Sequence, residues 1–314
     1  MTDRASIAPI PPGALDLAGE AVRRRRRLES ELLARVAAGG YEEIIPPTFE
    51  YAEVFVRAAG SGVAAHLIRF LDLDGQLLAL RYDFTASVAR LAATKLADQP
   101  TPLRVSYTGP IFRQDPGREG RRPREILQVG AELLGDASVA ADVEILKLAL
   151  DLMRRAAPPE FQLNVGHAGA LAPALDALDP GERATVRDLI GRKDAAGLAA
   201  RTRGTLRTLP FVIGRREALD RAAELAPEAE AAVARLRAID AALSAEERRH
   251  VVYDFGEVRG LDYYTGMHFE IFAAGVGTAV GAGGRYDDLM ARFGRALPAV
   301  GVALDLNALA DQAP

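Results

Sequence analysis

The chain has 314 residues, 49% hydrophobic and 26% charged, which suits one or two folded domains with a sizeable core and excludes a disordered or fibrous protein. Lys and Arg number 39 against 43 Asp and Glu, a net charge of −4 that gives no bulk attraction to nucleic acid. With no cysteine, disulfides, thiolate catalysis and Cys-ligated metals are excluded. No apolar run approaches the roughly 18 residues of a membrane span. The first residues lack the apolar core of a signal peptide, so a reducing cytoplasmic setting is the expectation.

After Pro11-Pro12-Gly13 a long amphipathic helix is expected to about Ala38, where Gly39-Gly40 stops it. Its basic run, Arg23 to Arg27, lies within the helical pattern and reads as a solvated face. Tyr41 to Ile45 is a short strand ended by Pro46-Pro47. Ile68 to Leu73 and Gln76 to Arg81 are strands joined at Asp74-Gly75, a strong hairpin signal. Thr85 is expected to cap a helix carrying Val88, Leu91, Ala92 and Leu96. Leu103 to Tyr107, a turn at Gly109-Pro110, and Ile111 to Arg113 follow, then a polar, basic loop from Asp115 to Arg124. Ile126 to Leu134 is a strand, Ser138 to Ala156 a helix and Phe161 to Val165 a strand. From 168 to 249 Ala, Leu, Arg and Glu recur at helical spacing, a helical insert between core segments 1–167 and 250–314. Strand patterns return at Val251 to Asp254, Met267 to Ala273, Thr278 to Ala282 and Ala299 to Leu304. This order predicts an α+β fold with a largely antiparallel sheet.

Several of these strands carry polar groups where a core strand is apolar. Gln128, Gly130 and Glu132 share one strand face, and the glycine between two long polar residues predicts a floor open to a ligand. Asp83 and Thr85 stand at a strand-to-helix corner, and Arg113 ends another strand. Arg259 to Tyr264 packs an arginine, an acid and two phenols into six residues. An amino acid needs such groups: carboxylates or hydroxyls for its ammonium, a guanidinium for its carboxylate. Gly281, Gly283 and Gly284 suit close backbone approach within a sheet. The stretch is neither a dinucleotide fingerprint nor a phosphate-binding loop. His66, His167, His250 and His268 are scattered without metal-ligand spacing and read as core or surface residues, with His268 a lesser site candidate. No metal or cofactor is implied.

In this order the segments resemble the catalytic core of class II aminoacyl-tRNA synthetases, the histidyl enzyme in particular. Gly40 to Pro47 resembles the first motif, which forms the family's dimer interface. Arg81 to Thr85, then Phe112-Arg113 through Gln128 to Glu132, resemble the second motif and amino-acid pocket. Arg259 to Tyr264 resembles the segment specific to histidyl enzymes, and Gly281 to Leu289 with Pro298 to Gly301 the approach to the third motif. The resemblance implies an antiparallel sheet flanked by helices and a histidine pocket. In it Asp83, Thr85 and Gln128 hold the ammonium and Arg113 faces the carboxylate. Glu132 and Tyr264 bond the imidazole, and Arg259 and Tyr263 line the pocket.

The departures from that pattern bear on activity. The third motif's ATP-gripping arginine has no counterpart in Gly301 to Asn307, so a phosphate there loses a charge-assisted contact. Phe112-Arg113-Gln114-Asp115 replaces Phe-Arg-x-Glu, and Arg81-Tyr82-Asp83 replaces Arg-Pro-Glu. The sequence stops at Pro314, so an anticodon-binding domain, and hence tRNA binding, is not expected. A pocket kept and a nucleotide grip lost is similar to the regulatory subunits of ATP phosphoribosyltransferase. That likeness implies a non-catalytic chain required by a short-form catalytic subunit in the first step of histidine biosynthesis. It also implies a homodimer within a hetero-octamer and L-histidine as feedback effector. Two alternatives stand beside it: a truncated histidyl-tRNA synthetase-like enzyme forming histidyl-adenylate, and a paralogue using the core as a scaffold for another partner.

Overall fold

The computed structural model describes residues 10–114, 123–156, 158, 160–258 and 263–310. Arg259 and most of the loop expected at Asp115 to Arg124 lie outside them. Helix α1 (Glu20–Ala38) buries Leu28, Leu32 and Val36, spaced four apart on one stripe. Arg23 and Arg27 pair with Glu20 along its solvated side, and Arg26 reaches the buried Glu29.

The strands are β1 (Glu42–Glu43), β2 (Phe49–Tyr51), β3 (Arg69–Leu71), β4 (Leu77–Leu80), β5 (Leu103–Phe112) and β6 (Glu125–Leu134), then β7 (Phe161–His167), β8 (Ile213–Gly214), β9 (Val251–Asp254), β10 (Met267–Ala273), β11 (Gly281–Arg285) and β12 (Ala299–Asp305). Among the described residues they form a nine-stranded sheet, β1-β5-β6-β12-β11-β10-β7-β9-β8, and a three-stranded sheet, β2-β4-β3. Pairing is antiparallel except at β1 with β5 and β7 with β9. The remaining α-helices are α2 (Ala52–Ala59), α3 (Phe84–Ala93), α4 (Val139–Ala156), α5 (Ala168–Asp176), α6 (Pro180–Gly191), α7 (Ala195–Arg201), α8 (Thr205–Thr208), α9 (Arg216–Leu225), α10 (Glu230–Ala242), α11 (Ala245–Arg248) and α12 (Leu306–Ala310).

Two apolar clusters hold these layers together. The larger joins α1 and α4 to the sheet and reaches into the helical stretch, through residues such as Leu32, Ile145, Leu163, Val186, Leu198, Leu236 and Val302. The smaller packs α2 and α3 against the other part of the molecule through Phe55, Phe84, Val88, Tyr107 and Tyr286. Full burial of each such side chain contributes about 1.5–3 kcal/mol. A buried ion cluster adds a polar pin. Asp142 of α4, fully buried, accepts from Arg285 Nε of β11 at 2.7 Å and Arg235 Nε of α10 at 2.6 Å.

Three local expectations are corrected. The predicted turn at Gly109-Pro110 is interior to β5, which pairs with β6 without a break from Leu103 to Phe112. Proline survives there because its position faces the outer edge, where Pro110 O accepts from the Arg81 guanidinium at 2.8 Å and no ladder N–H is needed. The cap of α3 is Asp83, not Thr85: its carboxylate accepts from Ala86 N at 2.9 Å, leaving the Thr85 hydroxyl for another partner. The strand expected at Thr278 to Ala282 is displaced to Gly281–Arg285. Its glycines are invisible to apolar alternation, yet a Cβ on Gly283 would stand 2.5 Å from the Phe269 ring. Close packing, not side-chain burial, selects that strand.

Candidate functional site

A cleft of ≈ 990 Å³ opens over the middle of the large sheet. β6 supplies Gln128 and Glu132, the start of α3 supplies Asp83 and Thr85, and Arg113 follows β5. Tyr263 and Tyr264 enter ahead of β10, Tyr286 follows β11, and β12 supplies Gly301 from its interior and Asp305 from its end. Seven of the eight residues expected in an amino-acid pocket thus line one cavity, and the eighth, Arg259, lies outside the described residues.

The floor is built around Glu132, which is 2% exposed. One carboxylate oxygen accepts from Thr85 at 3.0 Å and from Tyr107 at 3.1 Å; the other accepts from Tyr286. Burial pushes its pKa up to about 7, against the pull of these three hydroxyls. Near neutral pH it is therefore balanced between an acceptor-only carboxylate and an acid with one donor. The same burial, with the nearby Glu132 charge, holds the Tyr107 and Tyr286 phenols well above their ordinary range. Gly301 is required beside it, since a Cβ there would fall 1.5 Å from the Glu132 carboxylate.

Gly130 does not leave the open floor its strand pattern predicts. It pairs with Tyr107 across β5 and β6, and a Cβ on it would lie 2.4 Å from the Tyr107 ring. The tyrosine ring fills that space and stacks on Phe84 at 4.1 Å, carrying its hydroxyl to Glu132. Sequence reasoning missed Tyr107, Tyr286 and Glu270. The register of β5 on β6 is the signal that places Tyr107 over the glycine, and a turn predicted at Gly109 hides it.

The rim carries the charged groups. Burial raises the pKa of Asp83, opposed by its bond from Ala86 N–H and by Arg113. The Arg113 guanidinium lies 4.6 Å over the Tyr82 ring and donates to Tyr82 O at 3.1 Å. Tyr263 and Tyr264 meet at 4.7 Å between ring centres, and Tyr263 meets Tyr286 edge-on at 5.9 Å. Glu270 and Asp305 line the same cleft. Arg81, by contrast, is structural: its guanidinium is spent on the carbonyls of Pro46, Pro47 and Pro110. His167 caps α5 through Nδ1, which accepts from Gly169 N at 3.1 Å, and burial takes its pKa down to about 3. His250 stacks on Phe161 at 4.0 Å. Among the described residues no group of three or more His, Asp or Glu is placed to hold a metal ion, and no helix is long and apolar enough to cross a membrane.

The antiparallel sheet with this polar recess defines a class II aminoacyl-tRNA synthetase-like core. The family model described as histidyl-tRNA synthetase matches residues 13–309. The chain also belongs to the family of ATP phosphoribosyltransferase regulatory subunits. It is 37% identical to one from Moorella thermoacetica over 96% of this chain and 80% of that protein. With another from Anaeromyxobacter sp. it shares 38% identity over 95% and 91% of the two chains. Among solved structures, an ATP phosphoribosyltransferase regulatory subunit/histidyl-tRNA synthetase from Bacillus halodurans is similar at TM-score 0.88 and 29% identity, covering 98% of this chain and 83% of that one. A histidine–tRNA ligase subunit from Alicyclobacillus acidocaldarius aligns at TM-score 0.80 and 30% identity, over 98% of both chains.

Proposed function

We propose that this chain acts as the non-catalytic regulatory subunit of an ATP phosphoribosyltransferase whose catalytic chain is the short form. On this reading it serves the first step of histidine biosynthesis, and the cleft receives L-histidine as the feedback signal. One observation carries it: the amino-acid half of the cleft is furnished, while among the described residues those of β11 and β12 that line its other wall include no cation. Gly281, Gly283, Gly301, Ala303 and Asp305 line that wall, and an acid there repels a triphosphate. Asp83, Thr85 and Gln128 would take the ammonium, Arg113 the carboxylate, and Glu132 with Tyr264 the imidazole, with Tyr263 beside them. Arg259 completes the proposed set.

A second copy of the chain is the proposed neighbour of the three-stranded sheet. Phe49, Tyr51, Leu71 and Leu77 are exposed there, and β2 closely follows Gly40 to Pro47, the segment that resembles the family's dimer interface. A homodimer within a hetero-octamer is the assembly proposed. Histidine then inhibits only if it binds the inhibited assembly more tightly than the active one.

The test is a titration of this protein into the short-form catalytic chain of the same genome, following phosphoribosyl-ATP with and without histidine. Activation that histidine reverses supports the reading; no activation overturns it. Histidine-dependent ATP–pyrophosphate exchange should be absent, and its presence would restore the synthetase alternative.

A further inference from the structure

The nine-stranded sheet ends at β8, and the recess beside that strand shares no lining residue with the cleft. Ile213 pairs with Asp254 of β9 and Gly214 with Tyr253, while Phe255 N donates to Val212 O at 3.2 Å. In an antiparallel ladder that register bonds Gly214 to β9 and turns the N–H and C=O of Ile213 outward. Ile213 is thus an open rung at the sheet edge. Its side chain is 53% exposed, and Phe211, two residues earlier, is 37% exposed.

Basic groups crowd the end of the same strand. Where β8 turns into α9, a recess of ≈ 300 Å³ is lined by Arg215, Arg216, Arg248 and Arg249, against two acids, Glu217 and Asp240. Both acids are engaged. Asp240 is buried, accepts from the Tyr253 hydroxyl at 3.1 Å and lies 3.3 Å from Arg248 Nε. Glu217 accepts from Arg215 N at 2.9 Å. Arg216 is largely exposed, 3.7 Å from Asp240, and Arg249 has no acid partner among the described residues. The recess therefore carries excess positive charge at an accessible face.

We propose that β8 is a docking edge for an extended, acidic segment of another protein. The segment adds a short strand at Ile213, lays an apolar side chain on Ile213 and Phe211, and carries its carboxylates to the arginine recess. The proposal is independent of what the cleft binds. A second copy of this chain is disfavoured as the occupant, because two β8 edges set side by side bring their arginines together. A nucleic acid would meet the arginines but has neither an apolar side chain nor a peptide group for the open rung. A purely defensive edge places charge at the outward position, where Ile213 stands.

The test uses the full chain and a labelled Val-Glu-Val-Glu-Val-Glu peptide as probe, followed by fluorescence anisotropy. Saturable binding is expected, at least tenfold tighter than that of the Val-Lys counterpart and at least threefold weaker in about 0.5 M than in about 0.05 M salt. Arg249→Glu, which breaks no ion pair within the described chain, should weaken binding at least fivefold, and with Arg216→Gln further still. Amide exchange separates strand addition from charge attraction alone: saturating probe should slow the Ile213 amide at least tenfold. No saturable binding up to millimolar probe, equal binding of the Val-Lys peptide, or unchanged exchange at Ile213 in the complex each overturns the proposal. Self-association of the Arg216→Gln, Arg249→Glu protein with no probe binding by the wild type also overturns it, since the arginines then only guard the edge.

Discussion

Two buried acids face each other's problem with opposite solutions. Asp142, behind the sheet, is neutralised by two guanidinium groups from different elements. Glu132, in the cleft, has three hydroxyls for partners among the described residues, and burial lifts its pKa to about 7. The arginines tie α4, α10 and β11 into one body through the first acid. The hydroxyls leave the second acid's charge and bonding open to adjustment, which suits a surface that must exchange water for a ligand. Rigidity and responsiveness are thus assigned to different carboxylates about one sheet.

The largest effect should come from breaking the arginine-held acid. Asp142→Ala strips Arg235 and the buried Arg285 of their shared carboxylate, with Asp287 left as the remaining acid on Arg285, so a loss of about 3–5 kcal/mol is expected in denaturant unfolding. The same removal of charge at Glu132 should act with the opposite sign. Its folded pKa lies above the unfolded one, so the folded form holds more protons between about pH 4.5 and 7. Its contribution is fully present below the lower value and is lost as pH rises through the upper one. Glu132→Gln should flatten that slope and, above pH 7, recover up to about 3 kcal/mol at roughly 1.4 kcal/mol per unit. Glu132→Ala, by removing the floor, should abolish histidine binding in calorimetry. A slope unchanged in the glutamine variant would show that Glu132 does not titrate as its surroundings require.

Smaller changes sharpen the contrast. Gly301→Ala drives a methyl into the Glu132 carboxylate and should cost about 1–3 kcal/mol while weakening histidine binding. Tyr286→Phe removes one donor to the ionised acid and should cost about 1 kcal/mol at pH 8, with the stability slope extending to higher pH. Arg27→Ala, at an exposed pair with Glu20, should change stability by less than about 1 kcal/mol.

The legible parts of the molecule were those whose signal is local. The Asp74-Gly75 hairpin, the stripe of α1 and the strand ending near Arg113 follow from neighbouring residues. The pocket residues were legible through resemblance of whole motifs, since Asp83, Gln128 and Tyr264 are far apart in sequence. What stayed hidden depends on register. Gly130 announces that something approaches it, but only the pairing of β5 with β6 shows this to be Tyr107. Asp83 and Thr85 are both competent caps two residues apart, and the choice is settled by Glu132, which claims the threonine hydroxyl.

The sheet order also constrains how the chain is made. β12 lies between β6 and β11, so residues 299–305 join two blocks of strands that otherwise share no ladder. On the ribosome, β6 and β11 each wait with an open edge until that late segment emerges. Cleft assembly therefore waits for that segment, and any delay or truncation before Ala299 exposes two adhesive strand edges together.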